Sequence, residues 1–214
     1  MSIKPTVDLR PQFGDVRNQL QRPTCMAFAA SDAHSFARGV TAPLSVEYAY
    51  YHAVQRRSYL NRMTGAPFDA MAEAISIEGQ PVEAGWPYLG TLGATDPWNP
   101  PKTPGALFRR DATETTGGLT DIYSSLDAGC PVIVVMNFSN AFINPPADHP
   151  VNAPSGEPRI NTHAVILVGY GETSGGRCFL VRNSWGTAWG DGGYAWIDED
   201  YLSPRLLNAG SFRT

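Results

Sequence analysis

Cys25 opens an alanine-rich apolar segment, Cys25-Met26-Ala27-Phe28-Ala29-Ala30, with Thr24 immediately before it. A cysteine in the first turn of a helix faces the positive end of the backbone dipole, which favours the thiolate and so a nucleophile. The ordinary alternative is a small buried hydrophobe. A nucleophilic thiol also needs a base, a group that orients the base, and donors for an oxyanion. His163 is the candidate base, because it heads the most apolar run of the chain, Ala164-Val165-Ile166-Leu167-Val168, where a strand would hold an imidazole rigidly. Asn183 ends another short apolar run and is followed by Ser184-Trp185-Gly186; the Trp185 indole could cover an Asn–His hydrogen bond and keep water from it. His34 and His52 fall inside helical segments and His149 in a proline-rich stretch, so none of the three suits this role.

The elements that must position these residues change character along the chain. From Thr24, a plausible N-cap, apolar positions recur with the helical period until Gly39, a natural stop. Helical segments follow from Ser45 (SVEYAYYHAVQRR) and from Pro67 to Ile77, and residues 79–118 read as Gly-, Pro- and Trp-rich loop. The second half holds short β-branched and aromatic runs at 131–138, 162–168, 178–183 and 193–197, which predict strands. Helices first and strands later predict an α+β fold with two segregated lobes. The segment 144–161 carries Pro145, Pro146, Pro150, Pro154 and Pro158 and is expected to be an exposed loop at the cleft rim.

The formal charge of −4 and the short, isolated Arg56-Arg57 and Arg109-Arg110 pairs argue against nucleic acid as a partner. No apolar run approaches the roughly 20 residues of a membrane span, and no apolar core typical of a signal peptide stands near the N-terminus. Cys25, Cys130 and Cys178 allow one disulfide at most, which leans towards a reducing compartment, and Cys130 and Cys178 read as inert core thiols. No His/Cys cluster has zinc spacing, and Gly169-Tyr170-Gly171 lacks the third glycine of a nucleotide loop, so no metal or cofactor is expected.

Three blocks, VRNQLQRPTCMAFAA, THAVILVGYG and FLVRNSWGTAWGDGGYAWI, occur in the order found in the papain-like (C1) cysteine peptidases, which the chain resembles along its whole length. Weaker echoes are Leu44-Ser45, TGAPFDAM and GWPYLG. His163 and Asn183 lie about 140 and 160 residues after Cys25, at or near the spacing of that family. The resemblance implies a single papain-like domain over 1–214, a bacterial-type variant without propeptide. Its helical lobe would cover about 10–110 and its antiparallel, barrel-like β lobe about 111–214, with an N-terminal strand crossing over. It implies Cys25 as nucleophile, His163 as base and later acid, Asn183 as orienter, and the Gln19 side-chain amide with the Cys25 N–H as oxyanion donors. Thr64 and Gly65 would lend backbone bonds to an extended peptide. Pro23, Val135, Ala164, Trp185, Leu206 and Leu207 would shape pockets.

Around the nucleophile the chain departs from the family: Arg22, Pro23, Thr24 and Met26 replace Cys, Gly, Ser and Trp. The missing cysteine at 22 removes the family's bracing disulfide, and neither Cys130 nor Cys178 offers a substitute. The expected function is a cysteine endopeptidase forming a thioester acyl-enzyme on protein or peptide substrates. The alternatives are a papain-fold acyl or isopeptide transferase and a catalytically idle binding module. Without a propeptide, restraint would come from cytoplasmic location, delivery into a target cell, or a separate inhibitor or immunity protein.

Overall fold

Helix α1 (Cys25–Ala37) is buried on nearly every side, with Met26, Phe28, Ala30, Ala33 and Phe36 in the core and Ser31 and His34 among them. A helix apolar all round belongs in an interior, and this one packs against both the other helices and the sheet. It stops where Gly39, at φ +67°, donates its N–H to the Phe36 carbonyl at 2.8 Å. The structure is a computed structural model and describes residues 2–115, 118–152 and 157–213; Pro154 lies outside them.

Helix α2 (Val46–Gln55) begins at Ser45, whose hydroxyl accepts the Tyr48 N–H at 3.1 Å and donates to the Trp86 carbonyl at 2.6 Å. Helix α3 (Phe68–Ile77) follows Pro67. Thr24 stands at the N-cap position of α1 but makes no cap bond, because its hydroxyl is paired with the Tyr88 hydroxyl at 2.8 Å instead.

The remaining elements are β1 (Lys4–Asp8), β2 (Ala112–Glu114), α4 (Leu119–Asp127), β3 (Val132–Phe138), α5 (Asn140–Ile143), β4 (Asn161–Thr173), β5 (Gly176–Arg182), β6 (Tyr194–Asp198), α6 (Glu199–Leu202) and β7 (Leu206–Phe212). Among the described residues every strand pairing is antiparallel, in the order β2-β7-β3-β4-β5-β6 with β1 added to β4. The α+β expectation holds. The barrel-like closure does not, since β2 and β6 end the order without pairing to one another.

Two close approaches account for glycines inside strands. A Cβ on Gly169 would stand 2.1 Å from the Val7 carbonyl oxygen, and one on Gly171 2.6 Å from that of Lys4, so β1 crosses β4 only over bare backbone. Gly210 in β7 likewise leaves room for the Phe68 ring at the start of α3. The proline-rich segment is not the wholly exposed loop expected. Pro150 and Val151 are buried, the Val151 N–H donates to the Trp196 carbonyl at 2.7 Å, and its carbonyl accepts the Asp198 N–H at 2.9 Å. It thereby covers the outer edge of β6, the kind of edge that otherwise invites pairing with another chain.

His34 ties α1 to the sheet. Its Nδ1 donates to Gln80 Oε1 at 2.9 Å, the Gln80 orientation being set by its own donation to Ser31 Oγ and the Ser45 carbonyl. The ring stacks on Phe212 of β7, leaving Nε2 buried without a partner. Burial pushes the imidazole pKa down to about 4, Gln80 opposing and Arg110 and Arg38 adding to the fall. The unfolded chain, with His near 6.5, therefore takes up protons before the folded one. Stability is greatest above about pH 6.5 and falls as the pH drops towards 4. Melting temperature measured from pH 7.5 to 4 should decline over that window, and His34→Gln should lower it at pH 7 while flattening the slope.

Candidate active site

Cys25, His163, Asn183 and Gln19 meet at one place although they span most of the chain. Cys25 is the first residue of α1 and is half-buried. Its sulfur lies against β4: burial pushes the thiol pKa up, while the backbone N–H groups of Ala164, Met26 and Cys25 itself favour the thiolate. That approach is possible because β5 pairs with β4 only from Ile166 onward, so one edge of β4 is free at His163 and Ala164. Their other edge is paired with Met136 and Val135 of β3.

His163 Nε2 lies 2.7 Å from Asn183 Oδ1. The same oxygen accepts the Ser184 N–H at 2.8 Å, which identifies it as the acceptor and places the imidazole proton on Nε2. In the neutral ring Nδ1 is then the basic nitrogen. Trp185 stacks on the imidazole at 4.6 Å between centroids, with Phe138 and Phe142 edge-on and Trp189 behind, its indole N–H held by the Phe142 carbonyl at 3.0 Å. The imidazole is thus enclosed by aromatic rings, Trp185 being the one stacked on its face. Burial pushes the His163 pKa down to about 4 against the opposing pull of Asn183.

Gln19 is buried, with Nε2 donating to the Arg22 carbonyl at 3.0 Å and Oε1 accepting the Ser184 hydroxyl at 2.7 Å. Its backbone N–H donates to the Ser184 carbonyl at 2.8 Å, and Gly186 N–H donates to the Arg17 carbonyl at 3.1 Å. Ser184, overlooked by sequence reasoning although it sits inside the Asn183–Gly186 block, therefore joins the His orienter to the oxyanion candidate. The cleft over these groups has a volume of about 700 Å³. Gly65, Pro23, Val135, Ala164 and Trp185 line it together with Gln19, Cys25 and His163.

Other expected site residues are placed elsewhere. The Thr64 carbonyl accepts the Tyr50 hydroxyl and its N–H donates to the Asn61 carbonyl, so neither faces the cleft free. Leu206 and Leu207 open β7, outside the lining. Of the proline-rich segment, Asn161 reaches the lining, joined by Thr162 of the same strand. Tyr59, outside every quoted motif, and Leu20, inside the first block but given no role there, also line the cleft. Leu20 takes φ +53°, held by its N–H on Asn18 Oδ1 at 2.8 Å and by the room that Gly90 leaves for its side chain.

Beneath the cleft, Asp32 lies seven residues after Cys25, about two turns along the same face of α1. Its Oδ1 accepts Arg17 Nη2 at 2.5 Å and its Oδ2 accepts Arg182 Nε at 2.9 Å. Arg17 lies two residues before Gln19, and Arg182 immediately before Asn183. One carboxylate thus ties the helix of the thiol to both backbone segments that carry the other site groups.

Residues 3–204 match the family described as "Papain family cysteine protease". The chain belongs to that family. A cysteine protease of Blomia tropicalis is 24% identical over 209 residues, covering 93% of this chain and 62% of its own length. A viral cathepsin of a Cydia pomonella granulosis virus is 27% identical over 213 residues, covering 96% and 61%. The chain thus spans roughly three fifths of these relatives. Among solved structures, xylellain, a cysteine protease from Xylella fastidiosa, superposes with a TM-score of 0.79 at 22% identity, covering 100% of this chain and 87% of its own.

Removing Asp32 would leave Arg17 and the buried Arg182 without their shared counter-ion. Asp32→Ala should cost about 3–5 kcal/mol in urea unfolding, the range for breaking a buried pair by removing one partner.

Proposed function

We propose that the protein is a cysteine endopeptidase that cleaves protein or peptide substrates through a Cys25–His163–Asn183 centre. The observation that carries this reading is the fixed tautomer of His163. With its proton on Nε2 and held by Asn183, the ring offers a bare Nδ1 on a cleft that also exposes Cys25. The Cys25 proton moves to Nδ1, and the thiolate adds to the scissile carbonyl carbon. The charge on its oxygen is met by the Cys25 backbone N–H and by the Gln19 Nε2 hydrogen not used on Arg22. The imidazolium then gives its proton to the leaving amine as the C–N bond breaks, leaving a thioester. A water that loses its proton to His163 adds to the thioester, and the acid leaves as the thiolate departs. Gly65 and Pro23 on one wall and Val135 and Ala164 on the other would flank an extended substrate.

Burial alone favours a neutral thiol and a neutral imidazole. Proton transfer between them creates two opposite charges in contact, each the counter-ion of the other, so the pair ionises together where neither would alone. Cys25→Ala should abolish peptide hydrolysis and His163→Ala nearly so, whereas Asn183→Ala and Gln19→Ala should lower kcat by roughly 10–1,000-fold. Retained turnover in Cys25→Ala would sink the reading. Alkylation of Cys25 by iodoacetamide should proceed readily below pH 7 in the intact protein. In His163→Ala, burial without a counter-ion should move that limb above the ordinary thiol value of about 8.5. Identical pH profiles in the two proteins would exclude a thiolate–imidazolium pair.

A further inference from the structure

We propose that the buried Arg22–Glu47 ion pair positions the oxyanion site, acting through Gln19; this rests on the reading of Cys25 as nucleophile and Gln19 as oxyanion donor. Glu47 stands in the first turn of α2, its side chain without solvent exposure. Its two oxygens accept four donors: Arg22 Nη1 at 2.6 Å, Arg22 Nη2 at 3.0 Å, the Trp98 indole N–H at 2.6 Å and the Leu89 N–H at 2.9 Å. Arg22 Nη1 also donates to the Leu89 carbonyl at 2.8 Å, and the guanidinium carbon lies 5.6 Å and 5.1 Å from the Tyr50 and Tyr88 ring centroids. A planar bidentate pair between aromatic rings has little freedom to shift.

What this fixes is the backbone of Arg22. Its carbonyl accepts both Gln19 Nε2 at 3.0 Å and the Thr24 N–H at 2.8 Å, so it sets the amide plane of the oxyanion donor and the last turn of chain before Cys25. Tyr88 binds the same loop at its two ends, donating to the Gln19 carbonyl at 2.7 Å and pairing with Thr24 Oγ1 at 2.8 Å. Among the described residues, Arg22 is thus the one residue between those two points whose side chain is hydrogen-bonded, and the acid it reaches lies 25 residues away on α2. A residue whose only task was to fill the lobe would not need its main chain to aim the Gln19 amide.

The test compares Glu47→Gln, Arg22→Lys and the apolar double variant Arg22→Met/Glu47→Leu with the unaltered protein. It records kcat and KM on a fluorogenic peptide, the rate of Cys25 alkylation by iodoacetamide, and melting temperature. Alkylation forms an S–C bond as iodide leaves from a tetrahedral carbon, so it generates no oxyanion and is blind to Gln19. Glu47→Gln and Arg22→Lys should lower kcat about 10–100-fold, while KM and the alkylation rate each move less than about threefold. In a Gln19→Ala background, Glu47→Gln should lower kcat by less than about threefold further, because the group through which it acts is already gone. The proposal is overturned if kcat and alkylation fall together, if the Glu47 and Gln19 effects multiply in full, or if the apolar pair restores unaltered kcat. Should Glu47→Gln not fold, Arg22→Lys carries the same comparison. Turnover surviving in Cys25→Ala would instead remove the underlying reading.

Discussion

The two faces of the cleft are held in register by one negative charge. Asp32 accepts from Arg17 and Arg182 at once, and Glu83 lies 3.5 Å from Arg17 on the far side. Two acids and two guanidiniums balance, so a cluster that would be costly as isolated buried charges is tolerable as a group. Its position matters more than its net energy. Because Asp32 repeats the azimuth of Cys25 two turns along α1, any rotation of that helix about its axis would move the thiol and break both bonds together. Apolar packing has no such directional demand, and a helix walled by alanines on many sides could otherwise slip by small amounts.

Around the imidazole the structure accepts a local cost. Asn183 spends its oxygen on His163 and Ser184 and leaves its Nδ2 buried without a partner. An orphaned donor of this kind costs on the order of 1–3 kcal/mol. The rings of Trp185, Phe138 and Phe142 around the imidazole make a medium of low polarisability, in which the His–Asn bond is stronger. The centre is built for orientation at some expense of stability.

Much of the site was readable before any fold was known, because Cys25, His163 and Asn183 announce themselves by local context: a helix start, the head of an apolar strand, and a Trp/Gly-rich turn. Gln19 needed the family resemblance, since nothing local separates it from a surface glutamine. The ion pairs were not readable, for a physical reason: Arg22 and Glu47, or Asp32 and Arg182, are partners only once helices and strands are packed, and charged residues are usually solvated. Strand β7 escaped because Asn208 and Gly210 dilute its β character; Gly210 is there for the Phe68 ring, a demand made by a distant helix. Thr24 misled in the opposite direction, a good cap by type whose hydroxyl is claimed by Tyr88. Local rules yielded to tertiary partners at those positions.

The joining of Gln19 to Ser184 across 165 residues bears on how the protein is made. Contacts between points so far apart in the chain must wait for the intervening segments to fold, and chains dominated by them fold slowly. His163 cannot be oriented until Asn183 arrives, and strands β6 and β7 lie later still in the chain. A growing chain therefore has Cys25 well before His163, and well before the Ser184 that holds the Gln19 side chain. On the proposed mechanism, assembly order alone withholds the partners of the thiol until nearly all of this domain is in place.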